Sequence, residues 1–170
     1  IPKRAQHVTF DVAGVQDYVA LNDLLAQDAV AWLLPSGQAV VAPESHRLAV
    51  DAALEHDIAF RASTTAEVAV VGSGEARELD EIEVGYTGNQ DHLGTLTQLG
   101  FDPVRVYADA IDADPSVLDD LDVIWLGSSL SFGTGQTAGR DAFQAWLDEG
   151  HGVAGVGTAA LNSASAFDLV

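Results

Sequence analysis

Between residues 81 and 158, four short apolar runs alternate with helix-compatible segments, and this alternation limits the chain to few folds. The runs cover residues 82–86, 104–107, 123–126 and 153–156. Strands that alternate with helices usually form a parallel sheet, because each helix carries the chain back across one face of the sheet by a right-handed crossover. We therefore predict an α/β fold with a doubly wound parallel sheet for this part of the chain.

The part of the chain before this sheet carries the signals of a smaller α/β unit. Its predicted order is β-α-β-β-α-β, over residues 7–12, 17–27, 30–34, 39–42, 43–55 and 58–60. Pro35 and Gly37 supply the hairpin turn in this pattern. The apolar run at residues 68–71 is interpreted as an edge strand, and residues 75–81 as an exposed charged segment. We place the small unit in residues 1–66 and the doubly wound domain, truncated at its C-terminal end, in residues 67–170.

The chain is strongly acidic, since 26 Asp and Glu residues outnumber 7 Lys and Arg residues and give a net charge of −19. Phosphate groups are bound through basic side chains, so we expect no nucleic-acid partner and no binding to anionic membranes. The surplus of acidic residues predicts a solvated acidic surface, with a high-salt habitat or loose binding of divalent cations as alternatives. No stretch approaches the roughly 20 consecutive apolar residues of a membrane span.

Metal and thiol chemistry find little support in the sequence. Cysteine is absent, which excludes disulfides, thiolate zinc sites and cysteine nucleophiles. The histidines are His7, His46, His56, His92 and His151. Their spacing is not that of zinc ligands. Asp112 and Asp114 resemble the first ligands of a calcium loop, but Val117 occupies the position that requires glycine. We therefore predict no metal site and no cofactor within this chain.

Polar residues follow three of the predicted strands at their carboxyl ends, where ligands bind in sheets of this kind. We predict a ligand-binding site lined by Thr87, Asn89, Ser128, Ser129 and Thr158. These neutral donors and acceptors suit a sugar or a peptide better than a phosphate. Each of them is also a residue type that is common in turns and helix caps.

The segment at residues 127–135 is rich in glycine and serine, and two further functions can be considered for it: phosphate binding and hydrolysis by a serine nucleophile. It follows a strand and precedes a helix, as a phosphate-binding loop does, but it lacks the lysine and the spacing of such a loop. A serine hydrolase could use Ser128 or Ser129 with His92 or His151. The Gly-x-Ser-x-Gly elbow of many such enzymes is absent, so this remains the alternative from the enzyme class.

Two segments carry a resemblance to a known family. They are Leu-Asp-Val-Ile-Trp-Leu-Gly-Ser-Ser at residues 121–129 and Gly-Val-Ala-Gly-Val-Gly-Thr-Ala at residues 152–159. They resemble a strand with its small-residue turn and the nucleophile-elbow strand of the class I glutamine amidotransferase-like fold. The cysteine of that family falls on Gly157, or on Thr158 if the alignment shifts by one residue. The resemblance implies a flavodoxin-like sheet with a degenerate nucleophile position and without glutaminase activity.

A second resemblance rests on residues 19–27, 39–42, 83–86 and 155–162. These segments are similar to the region that follows the catalytic domain in secreted bacterial proteins of the zinc carboxypeptidase (carboxypeptidase A-like) family. The resemblance implies secretion, an upstream peptidase domain of the same protein as the partner, and a zinc ion in that upstream domain. The family's His-x-x-Glu motif is not in this sequence, so the resemblance implies no catalytic residue here.

The sequence thus leads us to expect a piece of a larger protein that starts without methionine at Ile1. We expect a non-catalytic accessory or ligand-binding module of a zinc-carboxypeptidase-like metallopeptidase. The alternatives are a stand-alone hydrolase with a serine at the carboxyl edge of the sheet, and a purely structural interaction domain. Catalysis by the parent protein, as a metallocarboxypeptidase, follows only from the resemblance.

Overall fold

A computed structural model describes residues 6–169 of the chain. The chain forms two compact units, which divide between Glu81 and Ile82. Within the described residues, no helix combines the length and the apolar character that crossing a membrane requires.

The first unit is built on an antiparallel sheet. Its strands are β1 (Val8–Asp11), β2 (Ala31–Leu33), β3 (Gln38–Val41), β4 (Arg61–Ala62) and β5 (Arg77–Leu79). Their order across the sheet is β4-β1-β3-β2-β5, and all neighbours are antiparallel. The predicted hairpin between β2 and β3 is confirmed. Gly37 has a φ of 84° in its turn, a backbone conformation that favours glycine.

Two helices build the core of this unit against the sheet. They are α1 (Val15–Leu25) and α2 (His46–Glu55), and a 3₁₀ turn at Pro43–Ser45 leads into α2. Leu21 and Leu24 from α1 and Ala52 from α2 are buried together with Val8 and Phe10 of β1. Spacing of apolar residues by three or four positions puts them on one face of a helix, which is why α1 is predictable from the sequence.

The end of the first unit differs from the expectation in three places. The strand predicted at residues 58–60 is wrong, because pairing with β1 starts at Arg61, while Phe60 is buried and packs against Phe10 with their ring centroids 4.8 Å apart. The strand predicted at residues 68–71 is wrong, because these residues lie in helix α3 (Thr65–Ser73). The segment at residues 75–81 is charged and mostly exposed, as predicted, but it contains a strand that was not predicted, β5, which pairs with β2. Helix α3 and β5 therefore belong to the first unit, whereas the sequence assigned residues 67–81 to the second.

The second unit confirms the α/β fold with a flavodoxin-like parallel sheet. Its strands are β6 (Val84–Thr87), β7 (Val104–Arg105), β8 (Val123–Leu126) and β9 (Gly152–Gly155). They are all parallel and their order is β7-β6-β8-β9. The helices are α4 (Gln90–Gln98), α5 (Ala108–Ala113), α6 (Thr137–Asp148) and α7 (Gly157–Ala166), and a 3₁₀ turn lies at Pro115–Leu118. Helix α5 was not expected from the sequence.

Apolar side chains cover both faces of this parallel sheet, as burial between two layers of helices requires. On one face, Ile124 and Leu126 of β8 pack with Phe143 and Trp146 of α6. On the other face, Val84 and Tyr86 of β6 pack with Leu96 of α4. Because the four strands are parallel, their carboxyl ends lie at one edge of the sheet, and we call this edge the crest.

Candidate functional site

A cleft of about 490 Å³ lies at the crest. It is lined by Thr87, Gly88, Arg105, Val106, Tyr107, Ala108, Asp109, Ser128, Ser129, Leu130 and Ser131. Thr87 and Arg105 are the last residues of β6 and β7, and the others follow β6, β7 and β8. The connection from β6 runs outward to β7 at one edge, whereas the connection from β7 returns to β8 on the other side of β6. Where the connections from two neighbouring strands run to opposite sides, a crevice opens at the carboxyl ends of these strands. Ligands bind in this crevice in such sheets.

Thr87 ties the ends of β6 and β8 together. Its side chain is buried, and its Oγ1 donates to the carbonyl oxygen of Ser128 at 2.6 Å and accepts from the Ser128 amide at 3.1 Å. The amide of Gly127 donates to the Thr87 carbonyl at 3.0 Å. Thr87 therefore fixes the backbone at the floor of the cleft, where its hydroxyl already has a donor and an acceptor partner.

The serine-rich loop that follows β8 forms one wall of the cleft, and helix α7 anchors it. The amide of Leu130, buried in the core, donates to Ser163 Oγ at 2.9 Å. The hydroxyl of Ser129 donates to the Ala159 carbonyl at 3.5 Å, which is a long hydrogen bond. Ser128 and Ser131 are exposed in the cleft. The loop therefore presents hydroxyl groups from a backbone that is held at both ends.

The opposite wall contains residues that the sequence reasoning missed. Arg105 is the basic residue among those lining the cleft, and its Nη2 donates to the Gly88 carbonyl at 3.3 Å. Tyr107 is 54% exposed, and Asp109 accepts a hydrogen bond from the Gln136 side chain. The signal was present, because Arg105 and Tyr107 stand at the carboxyl end of a predicted strand. The sequence predicts both inside that strand, whereas the structure ends β7 at Arg105.

The structure brings Thr87, Ser128 and Ser129 together at the cleft, but Asn89 and Thr158 are not among the residues that line it. Asn89 caps helix α4, since its Oδ1 accepts from the amides of Asp91 at 3.0 Å and His92 at 3.4 Å. Thr158 is exposed in the first turn of α7.

Gly157 is the first residue of α7, directly after β9 and Val156. Its φ of 69° gives the turn between strand and helix a left-handed backbone. Nucleophiles of elbow type sit on strained turns between a strand and a helix. A glycine at this position offers no side chain and therefore no nucleophile.

The histidines near the sheet are poorly placed to activate a serine at the crest. The Nδ1 of His92 accepts a hydrogen bond from Trp125 Nε1 at 3.2 Å, so in this arrangement the neutral ring carries its proton on Nε2 and cannot accept one there. His151 precedes β9 and therefore lies at the amino edge of the sheet, stacked on Trp146 at 4.8 Å. A strand of four residues separates the two edges by about 13 Å. The geometry thus gives no support to a serine hydrolase.

Comparisons with protein-family models, with curated proteins and with solved structures found no match to this chain. The chemistry of the cleft is consequently the ground on which a function can be argued.

Proposed function

We propose that the chain is a non-catalytic module that binds a small polar ligand, a sugar or a short peptide, in the cleft at the crest. The observation that carries this proposal is the position of the cleft, where the direction of the connections changes between β6 and its neighbours. Its volume of about 490 Å³ is in the range of small-molecule sites, which is roughly 300–1,000 Å³.

The lining indicates the chemistry of the ligand. Hydroxyl groups of Ser128 and Ser129 can donate to and accept from the hydroxyl or amide groups of a ligand. The exposed ring of Tyr107 offers an apolar surface with a polar tip, which suits the face of a sugar ring or a peptide side chain. Arg105 can bind one carboxylate, since its guanidinium group presents paired donors.

The charge of the site limits the ligand further. Asp109 also lines the cleft, and the whole chain carries a net charge of −19. A polyanion such as a nucleotide would be repelled, because one arginine cannot offset several phosphate charges. We therefore expect a ligand that is neutral or carries a single negative charge.

The wider context is part of the same proposal. The resemblance of several segments to the region after the catalytic domain of zinc carboxypeptidase-like proteins supports an accessory role beside an upstream peptidase domain. Secretion, and a zinc ion in that upstream domain, follow from the same resemblance. In such a protein, the cleft would help to hold a sugar or peptide substrate near the catalytic domain. Adding this chain to the isolated peptidase domain should then raise the melting temperature of that domain.

The experiment that tests the cleft is a thermal-shift screen followed by calorimetric titration. The ligands are neutral sugars, uronic acids and short peptides with free or amidated C-termini. A ligand at a hundred times its dissociation constant stabilises the folded chain by about 2.7 kcal/mol, which a melting curve detects easily. We expect a saturable rise in melting temperature with one of these classes, and the amidated peptides separate carboxylate binding from peptide binding.

Three variants make the screen specific to the cleft. Ser129→Ala should weaken binding of the ligand, and Arg105→Gln should weaken binding only if the ligand carries a carboxylate. Thr158→Ala is the matched control, because it removes an exposed hydroxyl outside the cleft. If the ligand raised the melting temperature of all three variants as much as that of the wild type, binding would lie outside the cleft. If no ligand class raised the melting temperature of the wild type, the proposal would be wrong.

A further inference from the structure

Three side chains that could hold a metal ion come together in the first unit, whereas the crest residues belong to the second. Asp23 is in the last turn of α1, Glu55 is the last residue of α2, and His56 follows it directly. One ligand atom from each side chain lies within 4.8 Å of the other two. Asp23 and His56 are separated by 33 positions in the sequence, so the packing of α1 against α2 creates the group.

His56 and Asp23 form a hydrogen bond, and the distance between its two atoms is also compatible with a shared metal ion. His56 Nε2 and Asp23 Oδ2 lie 3.3 Å apart. Nitrogen and oxygen ligands that are about 2.0–2.2 Å from a tetrahedral zinc ion lie about 3.3–3.6 Å from each other. Glu55 is exposed, so a change of side-chain rotamer can bring its carboxylate the remaining distance.

The Asp23 carboxylate is oriented by a neighbour. The Nε2 of Gln27 donates to Asp23 Oδ1 at 3.2 Å and to the Asp23 carbonyl at 3.1 Å. This leaves Oδ2 directed at His56. Partners of this kind, which hydrogen-bond a ligand and fix its orientation, are a regular part of metal sites in proteins.

The electrostatic environment also favours a cation. The group lies where the C-terminal ends of α1 and α2 meet, and neither helix has a basic residue in its last turn. The C-terminal end of a helix carries a partial negative charge of about half an electron. The negative potential of the two helix ends thus adds to that of the two carboxylates.

We propose that Asp23, Glu55 and His56 bind a divalent transition-metal ion of the zinc class, with water at the remaining coordination positions. One imidazole and two carboxylates suit Zn²⁺, Co²⁺ or Mn²⁺, whereas Ca²⁺ and Mg²⁺ prefer oxygen ligands alone. This site is in the first unit and does not depend on the ligand at the crest. It departs from the expectation of no metal site, because the argument against zinc considered only histidines with close partners in the sequence.

The test is a calorimetric titration of the full chain with zinc chloride, after treatment with a chelator and without an affinity tag. We expect one equivalent of Zn²⁺ to bind, and one equivalent of Co²⁺ to give visible absorption bands typical of nitrogen and oxygen ligands. His56→Gln and Glu55→Gln should each abolish binding of one equivalent. Gln27→Ala should weaken it by about 10- to 100-fold, because it releases the Asp23 carboxylate.

Matched controls separate this site from loose binding to an acidic surface. His46→Gln, at the start of α2, and Glu44→Gln, in the 3₁₀ turn before it, remove the same side-chain types and should leave the affinity unchanged. Because the Glu55 side chain is exposed, Glu55→Gln should fold normally, and loss of binding in this variant would not result from misfolding. Absence of any binding at one equivalent would overturn the proposal. Binding that survives unchanged in both His56→Gln and Glu55→Gln would overturn it as well.

Discussion

Trp125 donates a hydrogen bond from its indole nitrogen to Nδ1 of His92 at 3.2 Å and so joins strand β8 to helix α4. Two glycines give the histidine ring the space to lie there. A Cβ atom at Gly88 would come within 2.6 Å of the ring, and one at Gly127 within 2.5 Å. The ring therefore packs directly against the backbone where β6 and β8 end, close to the floor of the cleft.

The bond between Trp125 and His92 should contribute measurably to stability. Because it is partly buried, we expect the pair to be coupled by about 0.5–1.5 kcal/mol in a double-mutant cycle with Trp125→Phe and His92→Leu. Urea unfolding of the wild type, both single variants and the double variant measures this coupling. Free energies of the single variants that simply add in the double variant would show that the contact contributes nothing.

The same bond leads to a prediction about catalysis. With Nδ1 of His92 occupied as an acceptor and His151 at the other edge of the sheet, neither ring can remove the proton of Ser128 or Ser129. We expect no labelling of these serines by a fluorophosphonate probe and no ester hydrolysis that Ser128→Ala or Ser129→Ala abolishes. Labelling that is lost in one of these variants would restore the hydrolase alternative.

Gly127 is a position at the crest where a side chain should be poorly tolerated. A Cβ atom there would meet the His92 ring at 2.5 Å and the Thr87 carbonyl oxygen at 2.6 Å, and the second of these is backbone that cannot move aside. Gly127→Ala should therefore destabilise the chain by about 1–3 kcal/mol. It should also weaken binding of any ligand in the cleft, because Thr87 and Ser128 would shift.

Gly94 provides the matched control for Gly127→Ala. It lies inside helix α4 and a Cβ atom there meets nothing within 4 Å. Gly94→Ala should stabilise the chain by about 0.5–1 kcal/mol, because alanine loses less conformational entropy in a helix. Thermal and urea unfolding of the two variants should move in opposite directions, and equal effects would contradict this explanation.

Elements with strong periodicity or clear turn residues are predictable from the sequence, and the parallel sheet is the best example. Elements in which local capping opposes the apolar pattern are not. The run Val68–Val71 has the composition of a strand, yet Thr64 and Glu67 form a capping box that starts α3, and Gly74 ends it with a φ of 79°. That capping signal is visible in the sequence. By contrast, β5 is a charged edge strand whose pairing with β2 has no local signal.

The candidate sites show the same division between local and tertiary information. Thr87, Ser128 and Ser129 could be predicted to meet, because the ends of parallel strands share one edge. Arg105 lines the same cleft, but this could not be predicted without knowing where β7 ends. The group of Asp23, Glu55 and His56 depends on how two helices pack, and neither spacing nor composition reports this packing.

Helix α3 begins with an ion pair that also forms part of its cap. The guanidinium group of Arg61 binds both oxygens of the Glu67 carboxylate, one of them at 2.8 Å. The amide of Thr64 donates to the same carboxylate at 2.7 Å. The hydrogen bonds from Arg61, assisted by those from Thr64 and opposed by partial burial, lower the pKa of Glu67 from its usual 4.5 to about 2.

This pKa shift predicts how the stability of the first unit depends on pH. A carboxylate whose pKa is lower in the folded chain stabilises that chain fully above its unfolded pKa and loses the effect as the pH falls through the folded pKa. Glu67→Gln should therefore cost about 1 kcal/mol at neutral pH, and this cost should fade between about pH 4.5 and pH 2. Urea unfolding as a function of pH measures the difference from the wild type, with Glu75→Gln as a control that removes an exposed carboxylate near the end of α3. If the cost of Glu67→Gln were the same at pH 7 and near pH 2, the charge on Glu67 would not be what holds the start of α3.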